Sequence, residues 1–137
     1  MKVSQKLDYA CRALLHLAGA HGSRAILRAE DIALAEGIPT SFLAQILNEL
    51  KRNDFVTSRR GKTGGWRLQR EPSEISVLQV VEALEPTLLA TQEKNPGRFG
   101  AATAEVWNST REATRQTLAE ATLDQVGKSG EEPMYFI

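Results

Sequence analysis

Residues 29–68 read AEDIALAEGIPTSFLAQILNELKRNDFVTSRRGKTGGWRL, and the spacing of apolar residues changes along them. Ile32 and Ala33 suit the inward side of a short helix over 29–36. Gly37 ends it, because glycine accepts a left-handed C-cap at no steric cost. Arg28 stands at the N-cap position, where Ser, Thr or Asp is preferred. Pro39 and Thr40 open the next helix, in which Leu43, Ile46, Leu47 and Leu50 make one apolar face with Phe42 beside it. Two strands, 55–58 and 66–68, are joined by the loop RRGKTGG at 59–65. Its three glycines permit a tight turn, and Arg59, Arg60 and Lys62 charge its tip. Helix, glycine turn, helix, strand, basic loop and strand is the order of a winged helix-turn-helix.

The outer face of the second of these helices carries Ser41, Ala44, Gln45 and Asn48, spaced i, i+3, i+4 and i+7, so they form one stripe. Such a stripe on its own is an ordinary solvated face. Following a short helix across a glycine turn, it suits base edges in a major groove, since Gln and Asn pair bidentately with adenine. Charge agrees locally although the total is zero, from 17 basic and 17 acidic residues. Residues 51–70 hold Lys51, Arg52, Arg59, Arg60, Lys62, Arg67 and Arg70 against Asp54 alone, while eleven acids face five bases from Glu71 onward. A basic stripe of this kind is what phosphate binding needs. We therefore expect Thr40, Ser41, Gln45 and Asn48 to contact bases. Arg59 and Arg60 are expected to meet the DNA from the wing tip, and Lys51, Arg52, Lys62, Thr63 and Arg67 to hold phosphates.

Other chemistries find no support. Gly61-Lys62-Thr63 resembles the end of a Walker loop, but Val56 stands where that motif needs glycine and Gly64-Gly65 oppose the helix that must follow. His16 and His21 do not share a helix face, and Cys11 has no base beside it, so no enzyme is expected. One cysteine builds neither an internal disulfide nor a cysteine-rich metal site, which suits the cytoplasm. Cys11 is a candidate redox switch, but its place on an apolar helix face suits a structural thiol. The run ALLHLAGA at 13–20 looks like a signal-peptide core. Asp8, Arg12 and His16 spoil it, and it falls short of the roughly 20 residues a membrane span needs.

Outside the central stretch, Ser4 caps a first helix with Leu7, Ala10, Cys11, Leu14, Leu17 and Ala18 at helical spacing. Gly19 and Gly22 end it, and Ala25–Leu27 is a short apolar link suited to a strand. Ser76-Val77-Leu78-Gln79 forms a capping box with Ile75 and Val80 as hydrophobic staple; its helix is expected to bury Val77, Val80, Val81 and Leu84. Thr87–Gly97 is weakly patterned. A long helix over 99–121 has only a thin apolar line, Trp107, Thr114, Leu118 and Ala121, and so is expected to pair with a second chain. Thr122 and Gln125 cap a last turn ending at Gly127. The expected architecture is mainly α with a small β-wing. Residues 1–85 form the winged DNA-binding domain, 86–98 a linker or sensor loop, 99–127 the dimerisation helix region and 128–137 a flexible tail, whose Met134–Ile137 could dock.

These residues together resemble the bacterial IscR/NsrR/CymR type of winged-helix regulators, the Rrf-type family. The resemblance rests on Leu7-Asp8-Tyr9-Ala10 and Arg12-Ala13-Leu14 in the first helix, Gly37-Ile38-Pro39, Phe42-Leu43 and Gln45-Ile46-Leu47 across the turn, and Ser58, Arg60-Gly61 and Gly64-Gly65 in the wing. Weaker agreement runs through 75–85, Trp107 and Thr122-Leu123. The resemblance implies a homodimer on a palindromic operator in double-stranded DNA, with Arg60 in a minor groove and Ser41 and Gln45 at bases. Family members that carry an iron–sulfur cluster use three cysteines before the long helix, whereas PTLLATQEKNPGRFG at 86–100 has none. Asp8 matches a non-cysteine ligand position, but without thiolates it holds no cluster. The expectation is a cytoplasmic, sequence-specific repressor without cofactor or membrane attachment, answering to a small-molecule or protein effector. A winged protein-interaction adaptor with no specific DNA target is the alternative, and the basic wing argues against it.

Overall fold

Residues 1–91, 93 and 96–131 are described in the computed structural model of the chain. Helix α1 spans Gln5–His21 and starts where expected, with the Ser4 hydroxyl accepting from the Leu7 amide at 3.1 Å. It buries Leu7, Ala10, Ala13, Leu14 and Leu17, while Cys11 and Ala18 lie at the margin. Helix α2 (Ala29–Glu36) has no side-chain cap at Arg28 and ends at Gly37, whose φ of 66° is left-handed and whose amide donates to the Ala33 carbonyl. That turn redirects the chain into α3 (Thr40–Arg52), with Leu43, Ile46, Leu47 and Leu50 all buried as its spacing requires.

Strands β1 (Val56–Arg59) and β2 (Gly65–Leu68) pair antiparallel in the register Val56 to Leu68, Thr57 to Arg67, Ser58 to Trp66 and Arg59 to Gly65. The link at 25–27 becomes a single bridge rather than a strand: Leu27 and Trp66 exchange backbone hydrogen bonds of 2.9 and 2.7 Å. The core gathers Leu14, Leu17, Ile32, Leu43, Leu47, Leu50, Val56 and Val80 from α1, α2, α3, the wing root and α4 (Val77–Leu84). The capping box before α4 is formed in full, with Ser76 and Gln79 exchanging two bonds of 3.2 Å. Leu78, not Val77, is buried beside Val80, Val81 and Leu84. Val77 sits in the helix's first turn, where its free amide donates to the Ala121 carbonyl at 2.8 Å.

Helix α5 (Gly100–Glu120) lies along α4 and buries only Ala104. The expected stop at Gly127 is not observed, because α6 continues from Leu123 to Glu131. At its start the Thr122 hydroxyl bonds the Asp124 carboxyl and holds it below the usual carboxylate range. The chain here returns to α1 and α4: Leu123 is buried in the common core and its amide donates to the Ile75 carbonyl at 2.9 Å. The expected docking residues Met134–Ile137 lie outside the described residues. Removing the cap with Ser76→Ala leaves the Gln79 amide without its partner inside the fold. A stability loss of about 1 kcal/mol is expected, or about 4 °C in the Tm followed by far-ultraviolet circular dichroism. An unchanged Tm would show that the box is ornamental.

Candidate nucleic-acid interface

The apolar face of α3 is pressed onto α1 by Leu43, Ile46, Leu47 and Leu50, by an edge-on contact of Phe42 with Tyr9 at 5.7 Å, and by a Lys6–Glu49 ion pair at 2.8 Å. Fixing one face of a helix fixes the other. Thr40, Ser41, Gln45 and Asn48 consequently stand exposed on the outer face, and among the described residues none has a side-chain partner. Polar side chains held on a rigid helix but left unpaired are free to bond a ligand without first breaking a bond.

Beside this helix the wing is built from the same pressure. Val56 and Leu68 are buried on the inner side of the sheet, so alternation turns Thr57 and Arg67 to the outer side. The Lys51 ammonium donates to the Ser58 hydroxyl at 2.8 Å, tying the last turn of α3 to β1. Arg59, Arg60, Gly61, Lys62 and Thr63 form the exposed tip, closed by a 3.0 Å bond from the Gly64 amide to the Gly61 carbonyl. A Cβ at Gly64 would fall 2.1 Å from the Arg59 carbonyl oxygen, so only glycine lets the loop fold this tightly.

Six of the eleven arginines are already engaged: Arg12 with Asp8, Arg28 with Glu30, Arg70 with the Phe55 ring, Arg98 with the Phe99 ring, Arg111 with the Leu89 carbonyl, and Arg115 with Glu82. Among the described residues Arg24, Arg52, Arg59, Arg60 and Arg67 have no such partner. Free guanidinium charge is thus concentrated on α3 and the wing. Arg70, counted in the basic stretch, spends its charge on the turn at Asp54, whose carbonyl accepts from its Nε at 3.2 Å. Arg67 stands on the outer sheet face, away from Ser58 and its Lys51 partner. Arg24 was not marked by the sequence and comes from the turn after α1. No local motif announces it, because only the Leu27–Trp66 bridge carries that turn to the wing.

Of the line expected to meet a second chain, Leu118 packs against its own core and Trp107 stays exposed. Ala104, Arg111, Arg115 and Leu118 contact their own chain, since the arginine stems reach back to the 86–89 turn and to Glu82. Thr114 is half-buried and bonds the Thr110 carbonyl, and Ala121 holds α4 through its own carbonyl. Trp107 is 57% exposed and Val106 55% exposed. Cys11 is half-buried, and burial, with Asp8 adding to it, pushes its thiol up to about 11. The folded thiol holds its proton more tightly than the unfolded one, so this group costs stability only as pH rises above about 9. Native protein at pH 8 is expected to resist iodoacetamide, while urea-unfolded protein reacts. Equal labelling of both by mass spectrometry would overturn the inert assignment.

The profile of the Rrf2 family, described as an iron-dependent transcriptional regulator, matches residues 3–129. A protein of Mycobacterium tuberculosis named as an HTH-type transcriptional regulator is 37% identical over 131 residues, covering 92% of this chain and 81% of its own length. The regulator IscR of Xenorhabdus nematophila is 30% identical over 135 residues, covering 96% of this chain and 82% of its own. Among solved structures, CymR of B. subtilis, titled the global cysteine regulator, superposes with a TM-score of 0.84 at 26% identity, over 94% of this chain and 98% of that one. IscR of T. potens gives 0.82 at 28% identity, over 100% and 93%.

Proposed function

The chain belongs to the Rrf2 family of DNA-binding transcriptional regulators, and from that premise we propose that it acts in the cytoplasm as a homodimeric repressor on a palindromic operator, without an iron–sulfur cluster. The observation that carries the reading is the unpartnered stripe of Thr40, Ser41, Gln45 and Asn48 beside the wing. There Arg59, Arg60 and Lys62 of the tip have no ion-pair partner among the described residues, since Glu30 nearby is taken by Arg28. In this reading α3 enters a major groove, with the stripe against base edges and Arg52 and Lys51 at its end against phosphates. Arg60, with Arg59 beside it, enters the adjacent minor groove, and Lys62, Thr63 and Arg67 hold the backbone. The stripe reads sequence; the cations set register and salt dependence.

The homodimer is supported by Trp107 and Val106, two large apolar side chains left exposed on a helix that its own chain covers on one side only. The iron named for the family does not fit the donors of this chain. Cys11 is its one cysteine, set in α1 against the core, and 86–98 contains neither Cys nor His. Among the described residues no three His, Cys, Asp or Glu side chains gather to hold a metal. An effector, small molecule or protein, would act through 86–98 and α5, which join the winged unit to the proposed dimer contact. Selection of bound duplexes from a random library by the full chain tests the reading. An inverted repeat with half-sites about one helical turn apart, ~10 base pairs, is expected. Retention of no duplex near physiological salt would overturn it in favour of a protein adaptor.

A further inference from the structure

The wing has a second charged side. Arg24 follows α1 in a left-handed conformation, φ 58°, which glycine would adopt more readily, and its side chain is exposed. The Leu27–Trp66 bridge lays this turn along β2, whose Arg67 stands on the outer face of the sheet with its β1 partner Thr57. An open groove of about 530 Å³ is lined by Arg24, Thr57, Arg67 and Gln69 together with His21 and Glu71. Glu71 is its one carboxylate, and it already faces His21 at 3.3 Å. Two guanidinium groups therefore share the groove without an acid to neutralise them. A smaller hollow lined by Ile26, Arg59, Gly65 and Arg67 continues it toward the wing tip. The result is a line of three free arginines, Arg24, Arg67 and Arg59, on a face that neither α3 nor the core covers.

We propose that this groove binds the DNA backbone outside the bases read by α3 and the wing tip, with Arg24 and Arg67 on phosphate oxygens. Guanidinium forks match those oxygens bidentately, and an open trough with cations strung along it suits a polyanion that passes through rather than a ligand enclosed within. The inference rests on the DNA-binding reading above and extends its footprint beyond the operator core. A backbone contact of this kind adds affinity and salt dependence without adding sequence preference.

Two duplexes test it: the selected operator trimmed to its specified bases, and the same operator with about one helical turn, ~10 base pairs, of fixed sequence added at each end. Binding is followed by fluorescence anisotropy over a range of salt. Arg24→Gly removes the cation and suits the left-handed backbone, so its Tm should not fall. It is expected to weaken binding of the longer duplex by about 3–10-fold and to lower its salt slope by about one per protomer. Affinity for the trimmed duplex should stay at the wild-type level, and Arg24→Lys, which keeps the charge but not the fork, should restore the salt slope and part of the affinity. Arg24→Gly matching the wild type on both duplexes, or losing equally on both, would overturn the proposal. Tripolyphosphate binding at Arg24 by calorimetry with no change on the longer duplex would overturn it too, assigning the groove to a free phosphate ligand. Wild-type protein retaining neither duplex would remove the DNA-binding reading itself, an outcome distinct from a failure of Arg24 alone.

Discussion

Gln45→Ala is expected to weaken binding to the selected operator by about 1–3 kcal/mol, roughly 5–150-fold in Kd, and to relax preference at one base position in each half-site. Gln45 lies in the middle of the exposed stripe, one turn from Ser41 and close to Asn48, on a helix whose opposite face is locked by four buried aliphatic residues. Its amide carries both a donor and an acceptor, and it has no partner in the chain to give up. The loss therefore appears in discrimination rather than in stability, and the Tm should stay at the wild-type value. Lys62→Ala provides the contrast. That residue at the wing tip should weaken all duplexes evenly and flatten the salt slope. Equal losses of Gln45→Ala on operator and scrambled duplex at one salt concentration would remove base reading from α3.

Trp107→Glu is expected to have the larger effect, splitting the dimer and with it most of the operator affinity. A buried aromatic anchor at an interface is commonly worth 2 kcal/mol or more. Two linked half-sites gain about 10²–10⁴ in affinity over one, so a monomer should lose about 100-fold or more. Because Trp107 is 57% exposed in the single chain, the substitution removes little from the fold of one protomer. Sedimentation velocity should report a monomer whose circular dichroism remains helical. A dimer of unchanged stability would move the interface away from Trp107. Persistence of operator affinity in a proven monomer would instead remove the two-half-site arrangement.

The legibility of this chain follows the range of the interactions involved. Local rules placed the Gly37 turn, the register of α3, the Ser4 cap and the Ser76–Gln79 box, because each depends on residues within one or two helical turns. The exposed polar stripe of α3 is readable for the same reason. Once Leu43, Ile46, Leu47 and Leu50 define an inner side, the outer side follows from the helical repeat. Misreadings arose where a distant element decided. Val77 has the apolar character of a core residue, but it packs only at the core's edge and stays half-buried, while Leu78 is the buried one of the pair. Gly127 reads as a stop, yet α6 continues past it, packed against α1. Arg111 and Arg115 carry no apolar signal in the sequence, and they turn inward because their heads find the Leu89 carbonyl and Glu82.

What the sequence determined by itself was the order of elements, the face of α3 left exposed and the concentration of positive charge between residues 51 and 70. These are matters of periodicity and composition, set along the chain. Tertiary structure alone decided that Leu123 returns to the common core, that Trp107 is left outside it, and that Arg24 joins Arg67 on the outer face of the wing. The first and last of these depend on backbone pairing between segments far apart in sequence, Leu123 with Ile75 and Leu27 with Trp66, and the second on which side of α5 packs on its own chain. Such pairing gathers charges and apolar surface whose neighbours along the chain carry no sign of it.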